Sequence, residues 1–221
     1  MMELMRQMGV FSPSKFEDKR IDVIGVGATG SYIVWLLTKI GLTNIHIWDD
    51  DVIEDHNIPN QCFFEKHIGK AKVKAAAEMV KNGTGAKIVQ HKKKVKGAQK
   101  FGQIVFLLTD TMESRKQIWD NSLKFKLNVE WVIETRMGAD SGRIYVINPS
   151  KPLHIKNWEA TLCADDEAEV SACGTSISIA PTASFIASMA VWQLIKRLND
   201  EDVENEIIIS SRPWTIVART F

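Results

Sequence analysis

The chain has 221 residues, with 28 Lys+Arg against 27 Asp+Glu and a formal net charge of +1 at pH 7. This near balance argues against a protein that coats nucleic acid or another polyanion. Hydrophobic residues make up 45% of the chain, with only 13 Gly and 6 Pro. That composition supports one sizeable core in one domain or at most two small ones, and excludes a disordered or fibrous chain.

In chain order, the apolar runs and helical spacings predict a strand at 20–26, a helix at 31–40, a strand at 44–48, a helix at 70–81, a strand at 103–108, a helix at 112–123, strands at 129–134 and 142–147, and a helix at 181–198. The first three form a βαβ unit, which implies a right-handed crossover and a parallel sheet. We therefore expect an α/β fold of the Rossmann-like, doubly wound kind, with a mostly parallel sheet and helices on both faces. Residues 1–20 are expected to form a leader, and 21–221 a single nucleotide-binding domain.

The first residues do not resemble a targeting segment. Glu3 and Arg6 stand where a signal peptide would need an unbroken apolar stretch, and no later segment offers about 18 uncharged apolar residues in a row. We therefore expect a soluble, cytoplasmic protein with no membrane partner.

Three cysteines, Cys62, Cys163 and Cys173, are too few for a disulfide scaffold. No Cys-x-x-Cys pair offers the spacing of a structural zinc site, so no zinc is expected. A cysteine that matters here is expected to act as a thiol.

A glycine motif lies between the first strand and the first helix. Gly25, Gly27 and Gly30 form G-x-G-x-x-G, in which the first glycine allows a tight turn, the second lets a phosphate approach the backbone and the third lets helix and strand pack closely. Asp49 ends the second strand, where a carboxylate can accept hydrogen bonds from ribose hydroxyls. Alone, these features suit an NAD(P)-dependent dehydrogenase.

Two segments carry uneven charge, the lysine-rich 92–96 and the acidic 165–169. Such runs are most often solvated loops or strand edges. The alternative for the lysines is that they receive an acidic partner protein. Nucleic acid is not favoured, because the basic run lacks interleaved aromatic residues.

The polar residues after the second strand carry a more specific pattern. The chain resembles the ThiF/MoeB family, whose adenylating fold is shared with ubiquitin-activating enzymes. The residues that carry the resemblance are Asp49, Asp51, Asn57, Gln61, Lys72, the strand end Leu107-Leu108-Thr109-Asp110, Arg115, and the segment from Cys173 to Pro181. An NAD(P) dehydrogenase would leave this spacing unexplained.

The resemblance implies an ATP-dependent adenylyltransferase that turns a carboxylate into a mixed anhydride with AMP. The backbone from Gly25 to Gly30, including Ala28, would cradle phosphates, and Asp49 would hold the ribose. Lys72 would stabilise charge at the α-phosphate, and Asp110 would bind magnesium. Asn57, Asn60 and Gln61 are candidate neutral contacts to phosphates. Asp51 and Arg115 could equally be structural partners of one another or of the backbone.

A thiol could take the acyl group after adenylation. Cys173 precedes a helix predicted to begin near Pro181, and a helix N-terminus favours a thiolate, so Cys173 is the first candidate nucleophile. Cys163 is the fallback if Cys173 is buried. Arg6 and Gln7 resemble the leader Arg-Gln that, in homodimeric members, reaches the other subunit's ATP, so a homodimer is implied.

The chain departs from the family pattern at the position that usually holds arginine before Gln61. Asn60 stands there and brings no charge, although Lys66 or Lys70 could replace it. Thr111 follows Asp110 where Asn is usual, and the paired zinc cysteines of many members are missing.

By resemblance, the substrate is the C-terminal carboxylate of a small ubiquitin-like or sulfur-carrier protein that ends in Gly-Gly. Three alternatives remain open: carboxylate activation on a small molecule or modified nucleoside, an NAD(P)-binding oxidoreductase, and a nucleotide-binding scaffold without turnover, which would explain Asn60.

Overall fold

The fold is taken from a computed structural model, which describes residues 2–163 and 177–221. Within these residues the strands are β1 (Ile21–Ile24), β2 (Ile45–Trp48), β3 (Val89–His91), β4 (Ile104–Leu107), β5 (Trp131–Met137), β6 (Ser141–Ile147), β7 (Glu206–Ser211) and β8 (Trp214–Arg219). The α-helices are α1 (Ala28–Lys39), α2 (Lys72–Thr84), α3 (Met112–Ile118), α4 (Pro152–Glu159) and α5 (Ala180–Leu198). A π-helical turn, Trp119–Leu123, continues α3.

All eight strands form one sheet in the order β3-β2-β1-β4-β5-β6-β7-β8. The first five strands in that order run parallel to one another, whereas the pairs β5-β6, β6-β7 and β7-β8 are antiparallel. The parallel part has the strand order of a doubly wound fold, in which the chain changes direction beside β1. The expectation of a mostly parallel, Rossmann-like α/β fold is confirmed.

Apolar side chains cover both faces of the sheet. Residues of α1, α2 and α5 form one core with the sheet, and residues of α3, α4 and the π-helical turn form the other. β1 and β4 are buried along their whole length, and β4 reads as a continuous apolar run rather than an alternating one because both of its faces are covered. In the second core, the rings of Trp119 and Trp158 lie 4.4 Å apart, and neither side chain is exposed.

Among the strands and α-helices of the described residues, β3, α4, β7 and β8 were not predicted. β3 is three residues long, and two of them are exposed, so no buried apolar run marks it. Helix α2 also continues beyond the predicted end at Asn82 and Gly83. The left-handed residue after it is Gly85, with φ of 75°, whereas a Cβ on Gly83 would lie 2.2 Å from the Trp35 ring, so Gly83 serves the packing of α2 on α1.

Residues before β1 pack against the rest of the chain. Phe11 is only 3% exposed within the first core, and Gln7 Nε2 donates to the carbonyl of Ile40 at 2.7 Å. Ile40 caps the end of α1 that is farther from the glycine turn. Across the described residues, none of the helices combines the length and the apolar character that a membrane span requires.

Candidate active site

A cavity of about 450 Å³ lies at the carboxyl ends of β1, β2 and β4, where doubly wound folds bind their ligands. The structure brings most of the predicted site residues together on its walls. They are Gly25, Gly27, Ala28, Asp49, Asp51, Asn57, Asn60, Gln61, Lys72 and Asp110.

The three glycines of the turn have different surroundings. Gly25 has φ of 92°, and a Cβ there would lie 2.7 Å from the carbonyl oxygen of Leu108. A Cβ on Gly30 would lie 2.0 Å from the carbonyl oxygen of Gly25, so Gly30 lets α1 approach the turn and does not itself line the cavity. A Cβ on Gly27 would meet nothing within 4 Å, which leaves room for a ligand beside the first turn of α1.

Asp49 is fixed by two backbone amides. Val26 N donates to its Oδ2 at 2.7 Å, and Asp51 N donates to its Oδ1 at 2.9 Å. Burial raises the pKa of the Asp49 carboxyl above its ordinary value, against the opposing effect of these two donors and of Lys72. The carboxylate is thus held at the end of β2 beside the glycine turn, where its oxygens can accept hydrogen bonds from ribose hydroxyls.

Lys72 begins α2 and lies only 7% exposed on the cavity wall. Its Nζ lies 2.7 Å from Asp51 Oδ2, and a bridge between Val52 and Ala71 holds the two chain segments side by side. The sequence left Asp51 between a ligand role and a structural one. Here it is the ion-pair partner of Lys72.

The three amide side chains differ in what they can still bind. Asn57 Oδ1 accepts from Glu54 N at 3.0 Å, so its NH₂ group is the part that can meet an anion. Gln61 is 8% exposed, and its buried Oε1 lacks a partner among the described residues. Asn60 donates to Ser178 Oγ, so the donor that the sequence assigns to a phosphate is engaged in this structure.

Carboxylates along the cavity suit a magnesium ion in chemical terms, because Mg²⁺ prefers oxygen ligands. Asp110 is exposed at the rim, after β4. The carboxylate oxygens of Asp49, Asp50 and Asp51 lie within 4.8 Å of one another, although Lys72 already pairs with Asp51. Asp110 offers an exposed carboxylate for the expected magnesium role, which stays a prediction, and Asp50 is a further cavity carboxylate that the sequence did not single out.

Arg115 reaches the cavity from α3 but is tied to the strand below. Its Nη1 donates to Glu134, which is fully buried, and to the carbonyl of Thr135 at 2.9 Å. Glu134 also accepts from Arg136 Nε at 2.9 Å and from Trp158 Nε1 at 3.0 Å. Arg115 thus has a structural partner, and that partner is Glu134 rather than Asp51.

Of the predicted thiols and the leader arginine, the two that the structure describes, Cys163 and Arg6, do not line this cavity. Cys173 lies outside the described residues, and Cys163 is exposed just before that gap. Cys62 is half buried, and burial raises the pKa of its thiol to about 11, which makes it a poor nucleophile at neutral pH. Arg6 lies in the leader that packs near the far end of α1, so it does not reach the cavity of its own chain.

Sequence reasoning missed several cavity residues. Trp48, Lys93 and Lys94 line it, whereas Lys66 and Lys70 do not. Lys70 instead pairs with Glu78 at 2.7 Å, and Lys66 lies over the Phe64 ring. Lys93 and Lys94 reach the cavity because β3 lies parallel beside β2 and brings the residues that follow it to the same edge, and no apolar run in the sequence marks that strand.

Comparison with known proteins gives a consistent assignment. A family model described as the ThiF family matches residues 2–218. Ubiquitin-like modifier-activating enzyme 5 of Aedes aegypti is 26% identical over 217 residues, which are 88% of this chain and 54% of the relative. Adenylyltransferase and sulfurtransferase MOCS3-2 of Zea mays is 31% identical over 125 residues, which are 53% of this chain and 26% of the relative. The chain thus spans about half the length, or less, of these curated relatives.

Solved structures also resemble the chain. The microcin C7 biosynthetic enzyme MccB, in complex with N-formylated MccA, has a TM-score of 0.72 at 15% identity. The similarity covers 94% of this chain and 66% of that chain. At so low an identity it shows the shared fold alone.

Proposed function

The chain belongs to the ThiF family, and on that premise we propose that it is an ATP-dependent adenylyltransferase for the C-terminal carboxylate of a small ubiquitin-like or sulfur-carrier protein. The names of the curated relatives, a ubiquitin-like modifier-activating enzyme and an adenylyltransferase, support this class. The single observation that carries the proposal is that the predicted nucleotide residues, Gly30 excepted, line one cavity together with Asp110.

The reaction is a displacement at the α-phosphorus of ATP. A carboxylate oxygen of the substrate forms the new bond to phosphorus, the bond to the oxygen that bridges the α- and β-phosphates breaks, and pyrophosphate leaves with that electron pair. The products are an acyl adenylate and pyrophosphate, and no proton needs to move. The protein has to orient the two reactants and offset the negative charge that gathers on the phosphates.

Each wall of the cavity has a part in this task. The amides at the start of α1 face the phosphates at a helix N-terminus, and Asp49 orients the ribose. Lys72 supplies positive charge near the α-phosphate. Asp110 would hold magnesium, which when bound offsets the charge of the triphosphate.

Isotope exchange between pyrophosphate and ATP tests this function. The full chain, with magnesium and a carrier protein that ends in Gly-Gly, should exchange, and Asp110→Ala should abolish exchange while the protein stays folded. Asp18→Ala removes an exposed carboxylate of the leader and should leave the rate unchanged. Tight NADH binding without ATP binding would instead support an oxidoreductase, and ATP binding without exchange would support a scaffold.

The acceptor of the activated acyl group is a separate question. We propose that the thiolate of Cys173 attacks the acyl carbon of the adenylate, so that the bond from that carbon to the phosphate oxygen breaks, AMP leaves and a thioester with the carrier protein forms. Cys163 is the alternative thiol. Cys173→Ala should then leave pyrophosphate exchange intact and remove the thioester that a non-reducing gel detects, while Cys163→Ala retains it. An undiminished thioester in Cys173→Ala would exclude Cys173 from this role.

The proposed assembly is a homodimer in which Arg6 approaches the cavity of the partner subunit. Support comes from the position of the leader, which packs away from its own cavity. Arg6→Ala should lower exchange, and mixing it with Asp110→Ala should restore part of the activity if the sites are shared between subunits.

A further inference from the structure

The cavity has an end that the proposed mechanism does not use, at the carboxyl end of β3. Asp49, expected to hold the ribose, follows β2, and the glycine turn expected to hold the phosphates follows β1. Because the strand order is β3-β2-β1, the end beside β3 lies on the opposite side of the ribose from the phosphates. In a nucleotide, the group on that side of the ribose is the base.

Two apolar and two basic side chains line this end of the cavity, those of Trp48, Lys93, Lys94 and Val95. Trp48 and Val95 are each 5% exposed and belong to the second core, so they offer a small apolar surface. The two lysines are exposed at the rim. An apolar wall with a few polar groups beside it suits a flat heterocycle, whose faces are apolar and whose edge carries hydrogen-bonding atoms.

The ammonium group of Lys93 is held at this end by its neighbours. Its Nζ lies 5.2 Å from the centre of the Trp48 ring, within the range of a cation–π contact. The loop is fixed on both sides, because Lys93 N donates to the carbonyl of His91 at 2.9 Å and Val95 is buried. The same carbonyl accepts from Asp49 N at 3.2 Å, so the carboxylate expected to hold the ribose and Lys93 are connected through His91.

Lys93 has hydrogen-bond donors to offer at this position. Within residues 2–163 and 177–221 it forms no ion pair. An ammonium group has three donors and no acceptor, and the ring nitrogens N1, N3 and N7 of adenine are acceptors. A phosphate would also accept from it, but the phosphates are placed beyond the ribose, at the start of α1.

We propose that the end of the cavity formed by Trp48, Lys93, Lys94 and Val95 receives the nucleobase, and that the ammonium group of Lys93 donates a hydrogen bond to a ring nitrogen of adenine. Lys93 is then a specificity-determining residue, because it selects a base that presents an acceptor at that position. This inference rests on the proposed nucleotide-binding function. It adds a contact from a residue that the ThiF resemblance does not include.

Competition titrations of the full chain with ATP, AMP and adenosine test the contact. Lys93→Met keeps most of the apolar stem and removes the charged donor. The Kd should rise about 10-fold, as the loss of one hydrogen bond from a charged group implies, and by the same factor for all three ligands, because they share the base. Lys92→Met is the matched control, since Lys92 is an exposed lysine of the same run that does not line the cavity.

Analogues of ATP that lack one ring nitrogen identify the acceptor. Of 1-deaza-, 3-deaza- and 7-deaza-ATP, one should bind the wild-type chain about as weakly as ATP binds Lys93→Met. For that analogue Lys93→Met should cause no further loss, because the acceptor is already missing. The other two analogues should lose affinity on the substitution as ATP does.

The outcomes separate this inference from the proposed function. A wild-type chain that binds none of the ligands would overturn nucleotide binding and the base contact with it. A wild-type chain that binds ATP, together with a Lys93→Met variant that binds it equally well, would overturn the base contact alone. A larger loss for ATP than for adenosine would also overturn it, since that result would indicate a contact with the phosphates, and so would three deaza analogues that all bind as ATP does.

Discussion

The ammonium group of Lys72 lies 2.7 Å from Oδ2 of Asp51, and the two side chains are unequally exposed, at 9% and 63% respectively. An ion pair with one member so well solvated contributes little to stability, so Lys72 can leave Asp51 at small cost. In the proposed reaction, the ammonium group of Lys72 would then contact the phosphate. Asp51 thus holds the ammonium group at the cavity wall until a nucleotide competes for it.

Lys72→Ala should lower the rate of pyrophosphate exchange about 100-fold or more, because one charged donor aimed at developing negative charge contributes on that scale. The fold should persist, since the remaining partner, Asp51, is largely solvated. Lys74→Ala, an exposed position on the same helix that does not line the cavity, should exchange at the wild-type rate. Near wild-type exchange by Lys72→Ala would remove Lys72 from the mechanism.

Alanine substitutions at Gly27 and Gly30 should affect different properties, ATP binding for Gly27 and stability for Gly30. Gly30→Ala places a Cβ against the Gly25 carbonyl and should lower the free energy of unfolding by about 1–3 kcal/mol. Gly27→Ala meets no atom within 4 Å and should stay within about 0.5 kcal/mol of wild type. It should nevertheless weaken ATP binding about 10-fold, the equivalent of about 1.4 kcal/mol.

Urea denaturation and calorimetry measure the two quantities separately. A Gly27→Ala variant that binds ATP normally would show that the space beside Gly27 is not used by the ligand. A Gly30→Ala variant as stable as wild type would mean that the turn can move away from α1.

The parallel core of the fold was accessible from sequence because its signals are local. β4 is a continuous apolar run, β1 is interrupted only by Asp22, and the glycine turn joins β1 to α1, so the order of these elements and the edge that holds the cavity could be predicted. The later strands were not accessible in the same way. Every residue of β8 is exposed, and β8 is defined by its pairing with β7 rather than by burial.

The site residues also differ in whether a local sequence signal could place them. Residues that follow β1, β2 and β4 directly could be assigned to one edge of the sheet. Contacts across the chain could not, such as the one between Arg115 and Glu134 or the placing of Lys93 beside Trp48. These depend on which strand lies next to which, and a single sequence does not state that.

Glu134 is the acceptor at the centre of a buried cluster, and Glu134→Ala should be strongly destabilising. The change would leave the guanidinium groups of Arg115 and Arg136 and the indole of Trp158 without this acceptor. Removal of one partner from a buried ion pair costs about 3–5 kcal/mol. Urea denaturation measures the loss, and Glu134→Gln, which keeps the shape and one acceptor, should lose less.

An exposed pair provides the control. Glu130 lies 2.5 Å from Lys19 Nζ, with both side chains partly solvated. Glu130→Ala should cost no more than about 1 kcal/mol. If Glu134→Ala cost no more than Glu130→Ala, the buried cluster would not be the stabilising feature that its geometry indicates.

Asp49→Asn should be at least as stable as wild type at pH 7, and its advantage should shrink as the pH falls. Burial raises the folded-state pKa of Asp49, so the folded chain holds this proton more tightly than the unfolded chain does. For an acid of this kind, stability is lost as the pH rises from the unfolded pKa through the folded one, and the ionised form is penalised at pH 7. Asparagine resembles the protonated carboxyl, with one acceptor and no charge. Below about pH 4, where the unfolded carboxyl is also protonated, the two proteins should converge.

Asp49→Asn should also weaken ATP binding. The asparagine has only one acceptor oxygen, and if the backbone amide of Val26 or Asp51 keeps it, the ribose hydroxyls lose theirs. Unfolding free energies at several pH values, with ATP titrations at pH 7, measure both effects. Asp50→Asn, at the exposed next position, removes an equal charge without the amide contacts and should show neither the pH-dependent advantage nor an equal loss of affinity. A stability difference that stayed constant with pH would show that the burial of the Asp49 charge does not determine it.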